Sequence, residues 1–104
     1  MYFTGEGVTK NLEKSAERAG HACDLGFAKG CGQLGVRLMF GKGVKKDLKR
    51  AHALLEQACD ADDGGGCHGL SRLYDVGEGV KKDKARAREL RERACSLGTK
   101  EACE

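Results

Sequence analysis

The sequence predicts an all-α fold in which helix hairpins stack as an α/α solenoid. Three observations carry this. The 104-residue chain aligns with itself without a gap when shifted by 36 residues, and a fixed period of that size marks a repeat array. Between its glycine clusters, apolar residues recur at spacings of three and four, the signature of one helix face. Finally, 34% of residues are charged, 39% are hydrophobic and proline is absent, which suits helices with solvated faces around a small core.

The elements follow in order. Gly5, Gly41 and Gly77 coincide under the shift, as do Gly7, Gly43 and Gly79, and Val8, Val44 and Val80. Asn11, Asp47 and Asp83 come next and are N-cap residues, because a short side-chain oxygen can accept from the free N–H groups of a first turn. After them run Leu12, Ser15, Ala19 and Ala22; Leu48, Ala51, Leu55 and Ala58; and Ala87, Leu90 and Ala94. These stripes predict B helices over 11–24, 47–60 and 83–96. A second set, Cys31, Leu34, Gly35, Leu38 and Met39, then Cys67, Leu70, Ser71 and Tyr74, predicts A helices over 29–40 and 65–76. Gly35 and Ser71 share a repeat position. A mid-helix glycine costs about 1 kcal/mol, so a neighbouring helix should approach closely there.

Gly-x-Gly-Val joins each A helix to the next B helix. The first glycine suits a left-handed C-cap, the second a tight return, and valine closes the hairpin end. It is no phosphate loop, since the Gly-Lys-Ser/Thr ending and the preceding strand are missing. Met1 to Thr4 match only the tail of an A helix. Glu104 follows Cys103 at once, leaving no room for a further A helix. The reading is a single array, residues 1–104, of about three units incomplete at both ends.

The run Leu-Gly/Ser through Tyr-x-x-Gly-x-Gly-Val-x-x-Asp-x-x-x-Ala, at this period, resembles the Sel1-like repeat. The regular cysteine pairs resemble a narrower branch, the disulfide-containing Helicobacter-type cysteine-rich proteins. The resemblance implies tetratricopeptide-like hairpins in a right-handed superhelix, with A helices lining the concave face. It also implies a protein or peptide ligand on that face. Some members of the branch are linked to penicillin binding and weak β-lactam hydrolysis.

Cys23 and Cys31, Cys59 and Cys67, and Cys95 and Cys103 each enclose seven residues, one pair per repeat. Six cysteines allow fifteen pairings, and the repeat selects the three local ones. Each bond would tie a B helix to the next A helix. Closing a nine-residue loop is worth roughly 2.5 kcal/mol in the chain-entropy model. Six reduced, buried thiols in a cytosolic adaptor are the alternative, as is zinc, although zinc sites favour tighter cysteine knuckles. Paired cysteines imply a periplasmic, secreted or similarly oxidising compartment. Met1-Tyr2-Phe3-Thr4 followed by Gly5 and Glu6 does not read as a signal peptide, and no apolar run reaches a membrane span.

Catalytic patterns are sparse. His21, His52 and His68 fall at three different repeat positions, so they form no repeated ligand set and no metal site is expected. The serines read Ser15-Ala-Glu-Arg, Ser71-Arg-Leu-Tyr and Ser96-Leu-Gly-Thr, and none has the Ser-x-x-Lys of penicillin-recognising serine enzymes. The expectation is a scaffold without cofactor or catalytic residue, the β-lactam-binding protein being the rival. Lys81 to Arg93 holds seven basic residues against three acidic ones. Pairs at i,i+4, Glu89–Arg93 and Arg88–Glu92, would make it a solvated face. With net charge +3 and no aromatic there for stacking on bases, no nucleic-acid partner is expected. Arg37 is the odd charge, since it aligns with Leu73 and Met1. Gln33, Arg37, Phe40, Asp75 and Val76 are the expected binding surface. Thiol titration of the denatured, unreduced protein should find no free thiol, and six would overturn the pairing.

Overall fold

The computed structural model describes residues 5–103, with side chains from Asn11 onward. Six helices follow one another: α1 (Gly5–Asp24), α2 (Ala28–Phe40), α3 (Leu48–Asp60), α4 (Gly64–Val76), α5 (Lys84–Ser96) and α6 (Lys100–Cys103). No strand occurs among the described residues. The chain extends 48 Å along its long axis and 28 by 25 Å across, as expected for stacked hairpins in which each unit packs mainly on its neighbours.

The turns explain the helix ends. Gly41 and Gly77 cap α2 and α4 in the left-handed region, at φ 70° and 75°, and their N–H groups donate to Arg37 O and Leu73 O. The chain then returns, and Asp47 N–H donates to Leu38 O as Asp83 N–H does to Tyr74 O. Asp47 and Asp83 cap α3 and α5, each carboxylate accepting from the N–H three residues on. Val44 and Val80 pack on the core behind these turns.

The B-to-A junction is built three times. Gly26, Asp62 and Gly98 donate to Cys23 O, Cys59 O and Cys95 O, and Phe27, Asp63 and Thr99 donate to Ala22 O, Ala58 O and Ala94 O. The first of each set is left-handed, at φ 94°, 65° and 99°. Disulfides Cys23–Cys31, Cys59–Cys67 and Cys95–Cys103 close the junctions, with Cα atoms 4.5, 4.5 and 4.8 Å apart. Helix backbones so close leave no room for a side chain between them. A Cβ on Gly30 would lie 2.6 Å from the Ala22 Cβ, and one on Gly66 2.6 Å from the Ala58 Cβ. The third junction carries Ala102 at this position and is the widest of the three.

The core is a single file of small and aliphatic side chains. Ala51, Leu55 and Ala58 of α3 are fully buried between α2 and α4, and Leu70 and Leu73 of α4 lie at 1% exposure. Gly35 provides the close approach that its position predicts, since a Cβ there would sit 2.7 Å from Leu55 Cγ. Its counterpart Ser71 is buried and donates to His68 O at 2.6 Å.

Three expectations need correction. Gly5, Gly7 and Val8 do not form a turn, because α1 runs through them from Gly5. The acceptors that hold the other turns, Arg37 O and Leu38 O, have equivalents only in Met1 and Tyr2, which lie outside the described residues. A sixth helix exists, because Thr99 O accepts from Ala102 N–H and starts one helical turn at Lys100. The expected i,i+4 pairs on α5 do not form. Arg86 instead pairs with Glu89 at 3.9 Å, and Arg93 reaches Asp62 of the preceding junction at 2.8 Å. Arg93 thereby links two repeats.

Neighbouring glycines in α4 should respond oppositely to alanine. Gly66→Ala pushes a methyl into Ala58 on α3, a helix held between α2 and α4, and should cost about 1–3 kcal/mol. Gly65→Ala meets nothing nearer than an Asp63 carboxylate oxygen at 3.6 Å, and should gain about 0.4–1 kcal/mol by restricting the unfolded chain. Thermal unfolding of both variants checks this, and a lowered Tm for both would refute it.

Candidate functional site

The packing sets which side of the array is concave. α2 packs directly against α4, whereas neither α1 with α3 nor α3 with α5 makes a comparable contact. Glycine makes the first pairing possible, since Gly32 lies near the Gly66 backbone and Gly69 against Val36. Close A helices and splayed B helices bend the stack toward the A side. α2 and α4 therefore line the inner face.

Phe40 stands on that face at the end of α2, 47% exposed. The Arg72 guanidinium of α4 lies 5.4 Å from its ring centroid and the Lys42 ammonium 5.5 Å. Both distances fall within cation–π reach, so the ring is held between two charges and still offers an edge to solvent. Val76, the equivalent residue on α4, is 59% exposed. Asp75 turns to Lys84 at 3.8 Å.

Gln33 and Arg37 belong to a different place. With Leu12, Ser15, Arg18 and Ala22 of α1 they line an open groove of about 980 Å³ that also reaches Lys29 and the start of α4 at Asp63 and Gly65. The five residues grouped from the sequence are thus split between the Phe40 surface and this groove. Helical spacing placed all five on A helices but does not say which flank of the helix each one takes.

Sequence reasoning missed Arg72, Leu25 and Phe27. Leu25 and Phe27 are each 63% exposed, and both sit beside the first junction, where the other repeats carry Ala61, Asp63, Leu97 and Thr99. Phe27 is the clearest. It occupies the N-cap of α2 and makes no side-chain cap bond, whereas Asp63 accepts from Gly66 N–H at 2.9 Å at the same position of α4. A Phe where the repeat calls for a cap was the available signal.

Several of the reactive side chains are engaged elsewhere, whereas Ser15 lines the groove. All six cysteines are in disulfides, which leaves no thiolate to act as nucleophile or metal ligand. His52 Nε2 and Tyr74 Oη share a hydrogen bond of 3.2 Å between α3 and α4. Ser71 is buried on its own helix, and Ser96 Oγ donates to Glu92 O at 3.0 Å. No group of three or more potential metal ligands occurs among the described residues.

Fold and site together define a disulfide-stapled array of helix hairpins with an open inner face. The Sel1 repeat model matches residues 1–17, 28–63 and 65–99, so the chain belongs to the Sel1 repeat family. Cysteine rich protein B of Helicobacter pylori superposes with a TM-score of 0.74 at 30% identity, over 94% of this chain and 88% of that one. A Sel1 repeat protein from Oxalobacter formigenes gives 0.80 at 28% identity, over 94% of this chain. A protective antigen of uropathogenic Escherichia coli strains, displaying an SLR fold, gives 0.75 at 26% identity over 85% of this chain. The chain spans only 40% and 19% of those last two. Comparison with curated protein sequences gives no significant match. Three disulfides fit an oxidising compartment, and no helix among the described residues is long and apolar enough to cross a membrane.

The serine geometry yields a direct expectation. Incubation with a penicillin should leave the intact mass unchanged and nitrocefin unhydrolysed. A stoichiometric acyl adduct that disappears in a single serine variant would overturn it.

Proposed function

We propose that this protein is a rigid interaction scaffold that binds a peptide or protein segment along the inner face of α2 and α4, in the periplasm or outside the cell. The observation that carries the reading is the Phe40 ring, half-exposed and held between Lys42 and Arg72 across the α2–α4 seam. An exposed aromatic fixed by its neighbours loses little freedom when a partner covers it, and such pre-organisation favours binding. The flanking cations select a segment with an apolar side chain between carboxylates. Membership of a repeat family whose units stack into extended surfaces supports the same reading. So do the disulfides, which hold the face in shape independently of a large core.

Affinity capture from the native oxidising compartment, compared between variants, tests this. Phe40→Ser should abolish capture of the specific partner and leave Tm within a few degrees, because the ring is largely outside the core. Arg88→Glu, an exposed change on α5, should retain capture. Equal recovery by wild type and Phe40→Ser would exclude the inner face.

A further inference from the structure

The hairpin of α3 and α4 carries a polar pair that the first hairpin lacks. A shift of one repeat aligns His52 with Ala16 and Tyr74 with Leu38. Ala16 and Leu38 are each 2% exposed. His52 and Tyr74 stay half-buried, with Nε2 and Oη 3.2 Å apart and the rings edge to face. Both positions thus depart from the repeat together, and both become hydrogen-bonding groups. An imidazole and a phenol carry at least two protons on nitrogen and oxygen. Their shared bond uses one, and another is left to donate outward.

The pair lines a hollow of about 470 Å³ whose other walls are Val80, Lys81, Lys82 and Asp83. Three elements meet there: α3, α4 and the turn into α5. The turn is held against α4, since Asp83 N–H donates to Tyr74 O and a Cβ on Gly77 would lie 2.9 Å from that of Lys82. The carboxylate in the wall, Asp83, accepts from Arg86 N–H at 3.0 Å, and Asp75 beside Tyr74 pairs with Lys84 at 3.8 Å. Two ammonium groups, an imidazole and a phenol therefore frame the opening. The first hairpin offers an internal comparison. Ala16 and Val44, the equivalents of His52 and Val80, line a hollow of about 430 Å³ whose charged walls are Glu13, Glu17 and Arg50. It stays open although α3 and α4 follow it in place, so such an opening belongs to the hairpin rather than to either end of the array. The two hollows share a position in the repeat and differ in charge.

We infer that the hollow beside His52 and Tyr74 binds a small-molecule phosphate monoester through its phosphoryl group. Lysine ammoniums act as point charges, and the imidazole and phenol give single bonds in separate directions. That set suits the several oxygens of a tetrahedral phosphoryl group. A carboxylate is met better by the planar fork of arginine, and no arginine of the described residues lines this hollow. The volume exceeds what a phosphoryl group fills and lies within the range of small-ligand sites, about 300–1,000 Å³. The remainder of the ester then rests on Val80 and the Tyr74 ring. The site shares no residue with the Phe40 surface.

The test uses the whole oxidised chain and the imidazole proton resonances of His21, His52 and His68. Glycerol 3-phosphate, titrated at fixed pH and ionic strength, should shift the His52 signal saturably and leave the other two in place. Lys81→Glu should weaken this binding at least about tenfold, the scale of one charge-assisted hydrogen bond, with Tm within a few degrees because the side chain is exposed. Tyr74→Phe keeps the ring and should also weaken it. Lys45→Glu, the same change at the equivalent position of the first turn, should leave the affinity unchanged. A titration without a saturable His52 shift up to about 10 mM, where general screening takes over, would overturn the inference. Equal losses in Lys45→Glu and Lys81→Glu would do so too, since they would mean screening of overall charge. Inorganic phosphate should compete with the ester, and acetate competing equally well would sink the phosphoryl assignment. Flotation with phosphatidic acid vesicles distinguishes the source. The protein should not float, and flotation without a response to glycerol 3-phosphate would replace the soluble ester by a lipid headgroup.

Discussion

The structure depends on how closely a B helix and the following A helix approach at their junction. Disulfides hold the flanking Cα atoms 4.5 to 4.8 Å apart, and the residue before the second cysteine must then be glycine or, at the looser third junction, alanine. Once that approach is set, the A helix lies flat on the B helix and small residues such as Gly66 and Ala58 meet across it. The core is built from alanine, leucine and cysteine with one methionine, Met39, which is what a chain without tryptophan and with five aromatics has to offer. Constraining the unfolded chain supplies stability that so thin a core would otherwise lack.

The same approach shapes the surface. Glycines at Gly32, Gly66 and Gly69 let α2 and α4 touch, the B helices splay, and the inner face is formed by A-helix side chains. The surface is individual where a side chain departs from the repeat. Phe27 replaces a cap, Arg37 replaces a buried leucine, and Asp62 takes a left-handed conformation that glycine holds at the other two junctions. The last of these has a visible partner, Arg93 of the next B helix, and so ties successive repeats. Arg37 lines the groove between α1 and α2, and Phe27 a neighbouring hollow.

Much of this was legible beforehand. Hairpin order, the disulfide turns, the Asp47 and Asp83 caps and the glycine turns after α2 and α4 all follow from the 36-residue period. A repeat shows each local decision more than once, and the starts of α2 to α5 differ from the expected ones by a single residue, whereas α1 starts six residues earlier, at Gly5. The misses share a cause. Gly5-x-Gly7-Val8 has the turn sequence, but α1 runs through it from Gly5. The α5 ion pairs were assigned within one helix, whereas Arg93 found a nearer carboxylate across the junction.

The amino-acid sequence alone determined the architecture, because helix periodicity, capping and loop closure are local, and the repeat multiplies each local signal. The tertiary structure decided which flank of an A helix each polar residue occupies. Arg37 lies three residues from Phe40 and Gln33 seven, spacings that return to one side of a helix, yet they line a groove with α1, while Phe40 lies beside Arg72 on α4. That division arises from the packing angle between hairpins, a sum of many small van der Waals contacts that no single position in the sequence records.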